Sequence, residues 1–427
     1  MQKLEIKSFG PVGNIVMDVE DILILNGVQS SGKSTIAKTV YMFKNLPNAI
    51  FQYFVSNNFS ENEYEKSLII AFRLQMVSIF GTTKHMEDFY IKYNFTEDKF
   101  IEVKKDYYSG HAYVKFSDEL KKSIKTVLQK YNDMKSFESN PDLIIDFSTV
   151  QLSRMELLSK LKKDITLVFE ERHEPIFIPA GRSLVSTLSG ELRDIESYNF
   201  DALMKDFVQR IYFMRDIFSK DLNDILEDRK RLSNAPINFE KVKKAQELIS
   251  DILRGRYIYE NGDEKLVLDD DHFVKLKFSS SGQQEVLWIL NILYIKILEN
   301  RDTFVVFEEP EAHLYPKTQY EIIKLLGLFL SNSSNQGIVT THSPYIMSAL
   351  NNLIFASIVG RKIKKASTVI AKEYWIDTVR IAAYFVENGQ IHNMIDSETE
   401  IIDTSYIDSA SEILNDDFER LLELMNG

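Results

Sequence analysis

A loop framed by two glycines constrains the fold of this chain more than any other feature. Gly27 is followed by four residues and then by Gly32-Lys33-Ser34-Thr35, directly after the apolar run of residues 22–25. This is the spacing of a phosphate-binding loop, in which the glycines let the backbone curl until its N–H groups face phosphate oxygens. The spacing therefore predicts a buried strand, the loop and then a helix that begins at about Lys33.

The residues of this loop predict contacts with a nucleoside triphosphate and a magnesium ion. Lys33 is expected to reach the β- and γ-phosphates, which also makes it a catalytic residue, and the Ser34 hydroxyl is expected to ligate Mg²⁺. The alternative is a glycine turn with an exposed lysine. The predicted nucleotide-binding residues of the loop are Asn26, Gly27, Gln29, Ser30, Ser31, Gly32, Lys33, Ser34 and Thr35.

Two adjacent carboxylates follow another apolar run, residues 304–307. Ligands bind at the C-terminal strand ends of an open parallel sheet, so Glu308 is predicted to hold Mg²⁺ or its water. Glu309 is expected on the opposite side of the pleat and is predicted to orient and deprotonate the attacking water. The alternative is an acidic turn that only solvates the strand end.

Histidines follow the acids and the next apolar strand. His342 lies in Thr340-Thr341-His342-Ser343-Pro344 and is predicted to contact the γ-phosphate, with a hydrogen-bonded turn histidine as the alternative. For His313, support of the loop after the acids and contact with a second subunit are equally open.

A serine-rich segment, residues 279–284, precedes an apolar stretch long enough to be a buried helix. A helix start with small hydroxyl residues binds anions, but the chain already has its own phosphate loop. The second helix start is therefore predicted to complete the site of another copy, with nucleotide held at the interface of a homodimer or higher oligomer. Helix capping alone is the alternative. The predicted nucleotide-binding residues here are Ser280, Gly282 and Gln283.

Composition limits the compartment and the partners. The formal net charge is −12, so the chain has no general attraction for nucleic acid, and any DNA or RNA contact is predicted to be local. Cysteine is absent, which excludes a disulfide framework and a cysteine-based metal site or nucleophile. No apolar run approaches about eighteen residues and no signal segment is visible, so a cytoplasmic protein without a membrane partner is expected.

Hydrophobic periodicity predicts an α/β fold. The runs at 304–307 and 338–341 are separated by a helical pattern, as in a parallel sheet covered on both faces. Helices are predicted at 61–81 and 118–135, strands near 90–116, and hairpin turns at Asn261-Gly262 and Asn388-Gly389. A helical block at 201–254 reads as a helix pair divided near Asn234-Ala235-Pro236.

The predicted domain division follows from these segments. Residues 1–50 and 255–427 are expected to form the nucleotide-binding core, residues 51–190 a helical and β-strand subdomain, and residues 191–254 a helical hairpin insertion.

Together these motifs resemble the ABC ATPase heads of SMC proteins, of RecF recombination mediators and of OLD-family antiphage nucleases. The resemblance rests on the phosphate loop, on Ser280 through Gln283, on Glu309 and on His342, and these span most of the chain in order. Residues 308–316, 341–344 and 176–183 look especially like the OLD branch. The resemblance implies an ABC-ATPase-like head with a mixed or parallel sheet, an antiparallel β subdomain and helical insertions, which binds and hydrolyses ATP with Mg²⁺.

Some positions depart from the family pattern. Glu308 stands where an aspartate is usual, and its longer side chain favours contact with Mg²⁺ through water. Ser281 stands where transporters carry a glycine. The glutamine of the family's Q-loop is not fixed by the resemblance, and Gln52, Gln75 and the segment near Arg182 are candidates.

The resemblance also bears on partners. OLD nucleases carry a Toprim metal domain, and the 68 residues after Val359 are too few for it. The cluster Asp269-Asp270-Asp271-His272 resembles a set of metal ligands, but it is predicted to be a solvated turn between strands. The resemblance therefore implies a stand-alone regulatory ATPase that controls a separate nuclease or effector in antiphage defence. The alternatives are a DNA-repair or chromosome-associated clamp, a transporter subunit and a scaffold that barely hydrolyses ATP.

Overall fold

The computed structural model describes residues 2–57, 63–106, 112–138, 147–187, 201–232, 236–269, 271–405 and 409–426. The chain divides into two compact units. The first comprises Met1–Glu20, Ser34–Pro175 and Asn388–Gln390, and the second comprises Asp21–Lys33, Ile176–Glu387 and Ile391–Gly427. None of the helices among the described residues is long and apolar enough to cross a membrane.

The first unit contains an antiparallel sheet, as predicted. Its strand order is β2-β1-β4-β5-β6. Leu4 and Ile6 on the first strand are buried while their neighbours are more exposed, which is the period-2 pattern of a sheet with one covered face. The strands are β1 (Gln2–Phe9), β2 (Val12–Val19), β4 (Tyr90–Asn94), β5 (Phe100–Lys105) and β6 (Ala112–Phe116).

The described residues of this unit form four α-helices, of which the first three lie at predicted positions and the fourth was not predicted. On the third helix, Leu120, Ile124 and Leu128 are buried, and their spacing places them on one face. The helices are α1 (Lys33–Ser56), α2 (Tyr64–Phe80), α3 (Asp118–Glu138) and α4 (Phe147–Val168).

A buried ion pair lies inside the first unit. Lys44 Nζ on α1 is 2.9 Å from Glu171 Oε2, and both side chains are almost fully buried. Burial alone raises the pKa of Glu171, but the attraction of Lys44 and the hydrogen bond from His173 outweigh it and lower the pKa to about 2. Glu171 is therefore ionised at neutral pH although water is excluded from it.

The second unit is built on a six-stranded sheet with the order β14-β13-β3-β12-β11-β7. β11 runs parallel to β12, β12 to β3 and β3 to β13, with Phe307 opposite Val339 and Val339 opposite Ile24. The C-terminal ends of these strands therefore meet at one edge of the sheet. The strands are β3 (Ile22–Asn26), β7 (Glu174–Ile178), β11 (Thr303–Glu308), β12 (Gln336–Thr341), β13 (Ile381–Glu387) and β14 (Gln390–Asn393).

The helices α5, α8 and α10 pack against a buried central helix, α9, whose residues 284–298 are all buried, Trp288 among them. Glycine turns at Asn261-Gly262 and Asn388-Gly389 have positive φ at both positions, which confirms the predicted hairpins. The other elements are α5 (Ser183–Thr187), α6 (Ala202–Met214), α7 (Leu222–Leu232), α8 (Phe239–Leu253), β8 (Arg256–Glu260), β9 (Asp263–Val267), β10 (Phe273–Lys275), α9 (Ser281–Glu299), α10 (Pro316–Leu330), α11 (Pro344–Lys362) and α12 (Ser409–Asn426).

The helical block at 201–254 has one more break than the predicted pair. Asp221 accepts hydrogen bonds from the backbone N–H groups of Asn223 and Asp224, at 2.8 and 2.9 Å, and so starts α7 as a separate helix. The predicted break falls partly on Asn234 and Ala235, which lie outside the described residues.

The acidic cluster after β9 forms a turn. Asp269 accepts hydrogen bonds from the backbone of Asp271 and His272 and lies 2.7 Å from the His272 ring. Asp270 lies outside the described residues. Among the residues that the structure does describe, no group of His, Cys, Asp and Glu could hold a metal ion on its own.

Candidate nucleotide-binding site

The phosphate loop connects β3 to α1 in a conformation that requires its glycines. Gly27 has φ +144° and Gly32 has φ +111°. A Cβ atom on Gly27 would lie 2.1 Å from the carbonyl oxygen of Val386 on the neighbouring strand β13, so no side chain fits there. Ser30, at the exposed tip, also has a positive φ of +62°. The loop is therefore held in its curled form by the sheet beside it.

Lys33 is buried at the base of this loop. Its Nζ donates hydrogen bonds to the carbonyl oxygens of Gly27 and Val28, both at 2.7 Å. Burial lowers the pKa of Lys33, and the negative charges of Glu309 and Glu311 oppose that shift. The loop lysine and the carboxylates that follow β11 thus belong to one electrostatic site.

The acids do not continue an extended strand, contrary to the sequence-based picture of two carboxylates on opposite sides of a pleat. β11 ends at Glu308, which is buried, and Glu309 has a left-handed backbone with φ +44°. The Glu309 N–H is bonded 3.0 Å from the carbonyl oxygen of Thr340 on β12. The chain therefore turns at Glu309, and this turn sets the direction of its carboxylate.

Glu311 is a site residue to which sequence reasoning gave no role. Its Oε1 accepts hydrogen bonds from the Thr341 hydroxyl at 2.5 Å and from the His342 N–H at 3.1 Å. The His342 Nδ1 lies 3.6 Å from Glu309 Oε1 and 3.7 Å from Glu311 Oε1. Glu311 thus fixes the start of the loop that carries His342. The only signal in the sequence is its place in Glu308-Glu309-Pro310-Glu311.

The serine-rich helix start is capped by hydrogen bonds within the segment. The Ser280 hydroxyl accepts the Gln283 N–H at 3.3 Å, and the Gln283 Oε1 accepts the Ser280 N–H at 3.1 Å, which forms a capping box. The Gln283 Nε2 also donates to the Leu253 carbonyl at 2.8 Å. Within the chain, Ser280 and Gln283 therefore cap the helix, as the alternative interpretation expected. Their contact with the nucleotide of a partner copy is still a prediction.

The loop after the acids contacts this helix start. A Cβ atom on Gly282 would lie 2.9 Å from the His313 carbonyl oxygen, so glycine permits the close approach. His313 itself is exposed and has φ +59°. For the His313 side chain, support of the loop and contact with a second subunit both stay predictions. Ser281 is exposed at the first position of α9.

A comparison with known protein families identifies the chain. A model described as an AAA ATPase domain, AAA_15, matches residues 1–347. The chain belongs to this AAA ATPase family. Membership confirms the prediction that the protein binds and hydrolyses ATP.

The ATPase is also similar to several other proteins. It is 31% identical to protein ea59 of Escherichia phage lambda over 131 residues, a match that covers 29% of this chain and only 23% of that protein. An SMC head bound to the C-terminal winged-helix domain of ScpA is 15% identical, with 92% of this chain and 95% of that chain covered and a TM-score of 0.40. The SMC head domain from Thermotoga maritima is 12% identical, with 92% and 97% covered and a TM-score of 0.36.

Buried polar atoms at the loop indicate how the ATPase receives a polar ligand. Among the described residues, Asn26 Nδ2, Ser31 Oγ and Glu311 Oε2 are buried and have no hydrogen-bond partner. Such atoms are costly unless a ligand or water satisfies them, and a triphosphate with its solvated cation offers both acceptors and donors. The donor set therefore fits a nucleotide. Gln29, Ser30 and Ser34 are exposed, and Thr35 is half-buried in the first turn of α1.

The candidates for the Q-loop of the ATPase have different surroundings. Gln75 on α2 is buried and donates to the Met42 carbonyl at 3.0 Å, so its side chain braces α1. Gln52 is exposed on α1. Arg182 is fully buried in the second unit. The Q-loop glutamine therefore stays unassigned among these candidates.

Proposed function

We propose that this ATPase is a regulatory head of which two copies close around ATP, and that it controls a separate effector. Two carboxylates, Glu309 and Glu311, support this proposal. The His342 Nδ1 lies 3.6 and 3.7 Å from their Oε1 atoms, and their charges oppose the desolvation that lowers the pKa of the buried Lys33. A phosphate-binding lysine, an acid that activates water and a histidine beside that acid are the groups that phosphoryl transfer to water requires.

Each residue has a distinct role in this proposal. Lys33 releases its two backbone carbonyl partners and donates to the β- and γ-phosphates of ATP. Glu309 orients the attacking water and accepts its proton, and His342 contacts the γ-phosphate. Glu311 holds the His342 loop through its Oε1. These roles share one requirement, which is that the water and the terminal phosphate lie between the two strand ends.

Magnesium belongs to the same proposal. Glu308 is a buried carboxylate at the strand end and accepts a weak bond from the Ala180 N–H at 3.4 Å. Hydroxyl and carboxylate oxygens are the hard ligands that Mg²⁺ prefers, so the Ser34 hydroxyl and Glu308 would hold it. The ion supplies neutralisation of the charge on the triphosphate.

Pairing of two heads is tested with a variant that binds ATP but does not turn it over. Glu309→Gln with ATP and Mg²⁺ is expected to run as a dimer in light scattering, because the ATP held by one copy is capped by the start of α9 of the other. Adding Ser281→Arg, a bulky cation at an exposed position, is expected to keep the protein monomeric. The matched control, Ser367→Arg, alters another exposed serine and should leave the dimer intact. Dimers that persist with Ser281→Arg would contradict the proposed interface.

The separate effector is supported by the resemblance of residues 308–316 and 341–344 to antiphage ATPases. The protein is coexpressed in turn with the product of each neighbouring reading frame, and one of these products is expected to form a stable complex with it. The nuclease activity of that complex should differ by about tenfold between the wild type and Lys33→Ala, a ratio that corresponds to about 1.4 kcal/mol. ATP-dependent DNA binding with a steep salt dependence, and no such complex, would instead favour a DNA clamp.

A further inference from the structure

Arg182 binds the backbone carbonyl groups of both glutamates at the end of β11, Glu308 and Glu309. It lies in the loop after β7 and is fully buried. Its Nη1 donates to the Glu308 carbonyl at 2.7 Å and to the Pro179 carbonyl at 2.6 Å, and its Nη2 donates to the Glu309 carbonyl at 3.0 Å. One planar guanidinium thus binds the backbone on both sides of the point where the chain turns.

The same arginine is anchored on the helix that begins with the serine-rich segment. The Glu285 carboxylate on α9 accepts the Arg182 N–H and the Ser183 N–H, each at 3.1 Å. The Arg182 Nε donates in return to the Glu285 carbonyl at 3.1 Å. Glu285 is itself buried. Arg182 therefore connects the first turns of α9 rigidly to the end of β11.

Placing this charge in the interior has a cost. Burial lowers the pKa of Arg182, and Glu285 first, then Glu311, Glu308 and Glu309, oppose the shift. Arginine stays charged under these conditions, and its rigid fork reaches two carbonyls at once, which the single ammonium of a lysine does not. The partners of Arg182 therefore require an arginine at this position, and a lysine would not make the same set of bonds.

The backbone that Arg182 holds is strained. Glu309 has φ +44°, a left-handed conformation that is unfavourable for a residue other than glycine. Its N–H is bonded to Thr340 on one side, and its carbonyl is bonded to Arg182 on the other. These two bonds define the rotation of the residue and therefore the direction in which its carboxylate leaves the chain.

We propose that Arg182 is a positioning residue, which keeps Glu309 in its water-activating orientation and transmits the position of the α9 start to it. This inference rests on the proposed function, since the water-activating role of Glu309 comes from there. Because Arg182 is fully buried, in this inference it acts through the Glu309 backbone and does not contact ATP or the attacking water itself.

A double-mutant cycle tests the inference on the full chain. Arg182→Lys is expected to lower kcat by about 10²-fold, the size of effect that a small misplacement of a reacting group causes. The ATP dissociation constant should stay within about threefold, because the phosphate loop is not altered. In a Glu309→Gln background, single-turnover rates should change by less than about twofold on adding Arg182→Lys, since the two residues act as one unit.

The control is Arg380→Lys. Arg380 also donates to two backbone carbonyls, of Leu330 at 2.7 Å and Asn335 at 2.6 Å, and pairs with Asp21 at 2.9 Å in the same unit. Its kcat should remain within about twofold of the wild type. Equal losses for the two arginine variants, or a loss in ATP affinity as large as that in kcat, would overturn the positioning role.

The remaining outcomes separate the two proposals. If Glu309→Gln hydrolyses ATP normally, the proposed function fails. If Glu309→Gln is inactive but Arg182→Lys lowers its residual rate by the same factor as in the wild type, only the role of Arg182 fails. Should Arg182→Lys unfold below the assay temperature, Glu285→Gln, which removes the charge that accepts the Arg182 and Ser183 N–H groups, serves in the same cycle with the same expected outcomes.

Discussion

Glu309→Gln is expected to lower the rate of phosphate release by about 10²- to 10⁴-fold, the usual contribution of a positioned general base. The amide keeps the size of the side chain and its left-handed backbone, but it has no charge with which to accept a proton from water. ATP affinity should be retained, because the loop and Lys33 are unchanged. Phosphate release and binding of a fluorescent ATP analogue measure the two quantities.

The control for this substitution is Glu398→Gln, which makes the same exchange at an exposed glutamate in the same unit. It should leave both quantities unchanged. A Glu309→Gln variant that releases phosphate at the wild-type rate would remove Glu309 from the catalytic role, and one that no longer binds ATP would indicate that the substitution disturbs the loop instead of the chemistry.

Local patterns correctly predicted the strands that carry this candidate site. The apolar run before Gly27 and the run before Glu308 predicted two buried strands, and the structure places them as β3 and β11 in one parallel sheet with β12 between them. Short-range signals suffice there, because strand burial, turn glycines and helix starts are each encoded within a few residues. The same holds for the two Asn-Gly hairpins.

The contacts that organise the site are long-range, and local patterns do not contain them. Glu311 meets His342 from a position 31 residues earlier, and Arg182 meets the Glu308 carbonyl across 126 residues. Their partners depend on which strands become neighbours. The turn at Glu309 was not predicted either. The residues up to Glu308 fit a strand whether it stops there or continues, so they do not indicate where it ends. A role for these residues therefore becomes visible only when the sheet order is known.

Lys44→Met is expected to lower the free energy of unfolding of the first unit by about 3–5 kcal/mol at neutral pH, because it leaves the Glu171 carboxylate buried without its ammonium partner. Unfolding of the first unit can be measured by hydrogen exchange of the β4 and β5 amides. Tryptophan fluorescence would report on the second unit instead, because both tryptophans, Trp288 and Trp375, lie there. Replacing the exposed Lys3, which lies 3.9 Å from Asp18, by Met is the control and should change stability by less than about 1 kcal/mol.

The loss of stability in Lys44→Met should depend on pH. The folded-state pKa of Glu171 is about 2, below its ordinary value of 4.5, so the pair stabilises the wild type above pH 4.5 and this stabilisation is lost as the pH falls towards 2. In Lys44→Met, burial is no longer outweighed by the ammonium and raises the Glu171 pKa, so the penalty should shrink as the pH is lowered and the carboxyl becomes protonated. The double variant Lys44→Met, Glu171→Met should recover most of the loss at neutral pH, since it removes both charges together. A penalty that is independent of pH, or a double variant no more stable than Lys44→Met, would show that lost packing at Lys44 and not the uncompensated charge destabilises the unit.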